Sequence, residues 1–159
     1  MEKLVAIITS LSVPWIFACC QQAPSLEKGH HDPRFQGEFT LYRLDGDRYP
    51  FEPVPEGAET LHGWTILQAC HVDSMAAREE LIQAVDDGIA EGGGIPVDCF
   101  NPRHAFQVEA SPLNMVYMIC FECRNYEIWN GEDLVGGGMI STSPGNILDQ
   151  YLDRCQDQR

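Results

Sequence analysis

Positive charge is scarce in this chain. Lys and Arg number 10 against 24 Asp and Glu, a formal net charge of −14 over 159 residues. A field of that sign repels phosphate backbones, so nucleic acid is not an expected partner. Long apolar runs are also missing: none reaches the roughly 20 residues that a helix needs to cross a bilayer. The familiar catalytic fingerprints are absent, with no Ser elbow, no HExxH and no dinucleotide GxGxxG. Gly136-Gly137-Gly138 lacks the Lys and Ser/Thr of a phosphate loop and reads as a bulge or turn. Low complexity is missing as well. A composition 44% hydrophobic and 21% charged belongs to a chain that folds, at a length suited to one domain.

What is present begins at the N-terminus. Residues 1–3 carry the only early side-chain charges, and residues 4–18 (LVAIITSLSVPWIFA) then run uncharged. Fifteen apolar or small residues suit the h-region of a signal peptide and are too few for a span. The run closes at Ile16-Phe17-Ala18-Cys19, a small residue directly before a cysteine. This segment resembles a bacterial lipoprotein signal peptide with its lipobox, Ile16 standing where Leu is commonest. The resemblance covers the first 19 residues. It implies cleavage before Cys19, a diacylglycerol thioether on Cys19, and a mature chain anchored to a membrane of the bacterial cell envelope. Cys20 rather than Asp follows Cys19, which implies the outer membrane if the cell is Gram-negative.

Residues 19–37 follow as the lipidated cysteine and a tether, since CQQAPSLEKGHHDPRFQG has Pro, Gly and polar groups without periodicity. A flexible coil of about 18 residues holds a domain on the order of 23 Å from its anchor. His30-His31-Asp32 inside it reads as polar linker sooner than as a metal site. Residues 38–159 form the expected single domain, long enough for one core.

Within that domain, EFTLYRL (38–44) alternates as a strand does, and Asp45-Gly46 turns towards a short segment at Arg48–Phe51. Residues 52–63 read as loop, and WTILQACHV (64–72) as a β-prone central strand. Ser74 can cap a helix with Ala77, Leu81, Val85 and Ile89 at helical spacing, stopped by Gly92-Gly93-Gly94 and Pro96. Strands are expected near 104–110, 115–122 and 124–130, turning at Gly131-Glu132-Asp133 into 134–140. A last helix, capped by Ser143 with Pro144 first, would bury Ile147, Leu148, Tyr151, Leu152 and Cys155. The fold class is therefore α+β, a mostly antiparallel sheet of about five strands with two helices.

A hairpin centred on Pro112-Leu113 sets Phe106 opposite Ile119, Val108 opposite Tyr117, Ala110 opposite Met115, and His104 beside Phe121. Gln107 and Glu109 then share the other face with Met118 and Val116, and Arg103 meets Glu122 as a cross-strand ion pair.

The most distinctive text is Cys99-Phe100-Asn101-Pro102-Arg103-His104, then Cys120-Phe121-Glu122-Cys123. This CFNPRH…CFEC pattern resembles an uncharacterised family of exported bacterial proteins over roughly residues 64–155, a likeness that implies no activity. Four readings compete for it, free buried thiols among them. Disulfides come first, because export oxidises cysteines; the candidates are Cys70, Cys99, Cys120, Cys123 and Cys155, with Cys99 joined to Cys120 or Cys123 as the first pairing. Zinc on Cys99, His104, Cys120 and Cys123 ranks below disulfides and free thiols, and it needs a turn at 122–125 that brings the last two cysteines to one side. A redox CxxC comes last and lacks the helix such motifs start. His62 and His71 flank the 64–72 strand without matched partners.

The leading functional expectation is an envelope lipoprotein with no catalytic residues, acting as a binding or scaffold domain for an envelope protein or small ligand. The alternatives are a zinc-binding module and a hydrolase-like enzyme using Arg103, His104 and Glu122. No cofactor other than zinc enters.

Overall fold

The computed structural model describes residues 32–47, 53–95 and 99–156. The signal segment, Cys19, Cys20, His30, His31 and the Arg48–Phe51 segment lie outside them. Seven strands make one antiparallel sheet: β1 (Glu38–Leu44), β2 (Thr60–Leu61), β3 (Trp64–His71), β4 (His104–Ala110), β5 (Leu113–Cys120), β6 (Asn125–Asn130) and β7 (Asp133–Met139). Their spatial order is β2-β3-β1-β4-β5-β6-β7. Two helices, α1 (Met75–Glu91) and α2 (Gly145–Gln156), complete the α+β fold.

Seven strands replace the expected five or so. β2 is two residues long and sits in what reads as loop, too short to carry a pattern. β7 is the expected 134–140 segment; Gly136-Gly137-Gly138 in it is paired strand with a bulge beside Gly136, opposite the Ile128–Trp129 step, and Tyr126 and Ile128 of β6 lie over it. A Cβ at Gly137 would stand 2.8 Å from the Tyr126 carbonyl oxygen, so the small residue permits the close pairing. β3 is second from the edge and not central. A bulge at Leu67 of β3, opposite the Arg43–Leu44 step of β1, moves the side chains of β3 from one face to the other. Trp64 and Ile66 thus serve one face, and Gln68 and Cys70 the other.

The β4–β5 register is also corrected. Phe106 pairs with Tyr117, Val108 with Met115 and His104 with Ile119, because Ser111-Pro112, joined by a cis peptide bond, forms a two-residue turn. The slip from the expected register is two residues, so every side chain keeps its face.

Both helices cover the face carrying Phe39, Leu41, Phe106, Val108 and Ile119, and they bury Leu81, Val85, Leu148 and Leu152 there. Ser74 caps α1 as expected, its hydroxyl accepting from the Ala77 N–H. Ser143 does not cap α2; its hydroxyl donates to Glu91 at 2.8 Å, and the Pro144 carbonyl accepts from the Leu148 N–H. The opposite face gathers Leu44, Trp64, Ala105, Val116 and Met118. The sheet curls over this second cluster, so that His62, beyond β2, stacks on Trp129 of β6 at 4.6 Å.

Residues 32–37, which read as tether, belong to the folded body. Asp32 caps a 3-10 turn at Pro33–Phe35, and Arg34 donates to both oxygens of Asp86 on α1 at 2.6 and 2.8 Å. Gly37 follows at φ +84°, with the Glu109 carbonyl where a Cβ would stand. Two disulfides tie the domain: Cys70–Cys155, from β3 to the last turn of α2, and Cys99–Cys123. Cys120 is a buried free thiol.

Candidate functional site

The CFNPRH segment runs into β4 along a path fixed from both sides. The Arg103 N–H donates to the Ile119 carbonyl at 3.2 Å, and the Arg103 carbonyl accepts from the Leu44 N–H at 2.9 Å. Asn125 donates its side-chain amide to the Cys99 carbonyl at 2.9 Å, beside the Cys99–Cys123 bridge. CFEC is the turn between β5 and β6, with Arg124 at φ +55°. The turn that the zinc reading requires is therefore present, and the Cys123 N–H points at the Cys120 sulfur, 3.1 Å away. The four residues do not meet as ligands, however. Cys99 and Cys123 are joined to one another, and among the described residues no group of three or more His, Cys, Asp or Glu side chains converges as a metal site.

What these two segments build with α2 is a cavity of about 240 Å³. Asn101, Arg103 and His104 form one wall, Phe121 and Glu122 a second, and Thr142, Gly145, Asn146 and Asp149 the third. Asn146 and Asp149 share a helix face at a spacing of three. Phe121 holds the walls together: its ring tilts against His104 at 5.3 Å, and Gly145 leaves room for it, since a Cβ there would come within 3.4 Å.

The chemistry centres on His104, 7% exposed at the head of β4. Its Nε2 lies 3.0 Å from Asp149 Oδ1, which also accepts from Arg43 Nη2 at 2.9 Å. Burial pushes the imidazole below its ordinary value, and the Asp149 carboxylate opposes this without overcoming it. Burial raises Asp149 in turn, but hydrogen bonds and charge from His104 and Arg43 outweigh that and leave it below the usual carboxylate value. An ionised carboxylate cannot donate, so Nε2 carries the proton and Nδ1 is an acceptor. That Nδ1 is buried and has no partner among the described residues. Arg103 lies at the rim, donating to Asp47 at 2.6 Å and to Glu122 at 3.3 Å; the expected pair is present, with Asp47 its closer partner.

Asp149 is the residue that sequence reasoning misses. It stands 45 positions from His104, on an amphipathic helix where an Asp reads as solvent-facing. His71 finds Asp73 at 3.1 Å, a surface contact. A wider groove of about 810 Å³ runs along α1, but its one cation, Arg34, is spent on Asp32 and Asp86. Family models, curated proteins and solved structures yield no match to this chain. The cavity is therefore read on its own chemistry. It offers an oriented imidazole and acceptor oxygens, and Thr142 is the only hydroxyl among the described residues of its lining.

The lowered His104 value has a consequence for stability. Above the unfolded value near 6.5 the imidazole is neutral in both states; as the pH falls, the unfolded chain protonates first and folding loses free energy until the folded value is passed. The urea midpoint is expected to drop between pH 7.5 and 5.5, and to drop less in His104→Gln. Equal drops in the two proteins would contradict the assignment.

Proposed function

We propose that this is a lipid-anchored lipoprotein of the bacterial cell envelope, held through a thioether on Cys19, whose domain binds or scaffolds and does not catalyse. The observation that carries the reading is the pair of disulfides, Cys70–Cys155 and Cys99–Cys123, inside one small domain. Such bridges persist in oxidising compartments outside the cytosol, where the lipobox-like N-terminus would send the chain. In a Gram-negative cell the anchor lies in the outer membrane, because Cys20 follows Cys19. The cavity between His104, Glu122 and Asp149 is the binding site in this reading, since His104 is buried and bonded to Asp149, and the Cys99–Cys123 bridge ties down the turn that carries Glu122. The acidic balance of the chain leaves nucleic acid out.

The test is fractionation of cells producing the full-length protein. The wild type is expected in the membrane pellet with an incorporated alkynyl fatty acid. Cys19→Ser is expected to lose the label and leave the pellet. A Cys19→Ser protein that pellets like the wild type would overturn the anchor.

A further inference from the structure

We infer that the cavity at the start of α2 takes a small organic cation, a primary ammonium or guanidinium group presented by a free amine or by a basic peptide side chain. The inference rests on reading this cavity as a binding site, and it adds the class of ligand.

The argument is a count of hydrogen-bonding capacity. The cationic donors around the cavity are already engaged: Arg103 donates to Asp47 and Glu122, Arg43 to Asp149 and Asp153, and the His104 N–H to Asp149. What remains is acceptor capacity. His104 Nδ1 also lacks a partner among the described residues, but it is sealed from solvent and is not counted. Arg43 and His104 both use Oδ1 of Asp149, and Arg103 uses Oε1 of Glu122, so the second oxygen of each carboxylate receives no hydrogen bond from the described residues. A ligand with several N–H donors and a positive charge satisfies both of these oxygens, whereas an anion would face two carboxylates.

Two further observations point the same way. Phe121 lines the cavity, and an aromatic face attracts a desolvated cation. The chain carries a net −14, which raises the local concentration of small cations. A bare divalent metal fits less well, because among the described residues two carboxylates, Glu122 and Asp149, line the cavity. The volume of about 240 Å³ suits a side-chain-sized group and not a folded partner.

Agmatine, which carries both an amine and a guanidinium, and the tripeptide Gly-Arg-Gly are the probes. Each is titrated into the full-length lipidated protein in non-ionic detergent at 150 mM salt, followed by calorimetry and by the ¹⁵N resonances of the His104 ring. Saturable binding is expected with a shift of the His104 ring resonances, because the ring N–H is shared with Asp149. Glu122→Gln and Asp149→Asn should each weaken it about tenfold or more, as for loss of a charged hydrogen bond, while Glu132→Gln, an equal charge change outside the cavity, leaves it unchanged. Preference for agmatine marks a free amine as the ligand, and preference for Gly-Arg-Gly a basic peptide. Equal weakening by Glu132→Gln would reduce the effect to diffuse attraction and overturn the proposal. Stoichiometric calcium binding that moves the same resonances would replace it with a metal site. If citrate moves them and agmatine does not, the ligand class is wrong and the cavity remains a binding site. If no probe moves them, both readings fall.

Discussion

Replacing Cys70 and Cys155 together with alanine is expected to lower the melting temperature by about 10–20 °C under non-reducing conditions. The bridge joins residues 85 apart, and closing a loop of that length removes enough freedom from the unfolded chain to be worth about 4–5 kcal/mol. The folded state should change little. Gln68 still donates to the Leu152 carbonyl at 2.6 Å and accepts from Gln156 at 3.0 Å, so α2 keeps its seat on β3. The Cys99–Cys123 bridge spans only 24 residues, and the same reasoning makes its removal about 1 kcal/mol milder. Circular dichroism melts of both double variants check the order. A Cys70/Cys155 variant melting within about 3 °C of the wild type would refute the loop-closure account.

Phe106→Ala should be nearly as damaging, at about 3–5 kcal/mol. Phe106 is fully buried in the middle of the sheet, stacked on Phe39 of β1 at 5.2 Å and on Tyr117 of β5 at 4.5 Å. Alanine removes the centre of a three-ring stack that crosses three adjacent strands, and the rings on either side cannot close the gap without moving their backbones. Phe106→Leu keeps most of the volume and should cost less than half as much. Urea titrations with unchanged m-values supply the comparison. An alanine variant that loses under about 1 kcal/mol would mean that the stack is not the centre of the core.

Much of this fold is legible in the sequence because burial writes a period into it. The strand at 38–44 matches β1 residue for residue, and Ser74 and Leu81 announce α1 with its cap and its apolar stripe. The β4–β5 faces are correct although the register is not. Alternation fixes which side a residue lies on, whereas the pairing depends on a turn that could have held two residues or four. What the period cannot show is polar burial. Arg78 lies outside the Ala77, Leu81, Val85 and Ile89 stripe of α1, yet it is 7% exposed and donates to the Val72 and Gly37 carbonyls, both at 2.7 Å. Asp149 escapes for the same reason. Arg103, His104 and Glu122 stand out as an unusual cluster, but the carboxylate that orients His104 comes from a helix whose sequence shows only that one side is apolar. The cysteine pairing was open among fifteen connectivities, and only the fold brings β3 to the end of α2.

The Cys70–Cys155 bridge also changes what a single proteolytic cut can do. The segment after α1, Gly92-Gly93-Gly94-Ile95, is rich in glycine and ends in an isoleucine 87% exposed, the kind of chain that an endoprotease grips. A nick there separates Cys70 on one fragment from Cys155 on the other, and the bridge keeps the two fragments together. The halves remain strand-paired, since β1 lies on the first piece and β4 on the second. One scission therefore releases nothing, and the severed chain migrates as a single species until a reductant parts it.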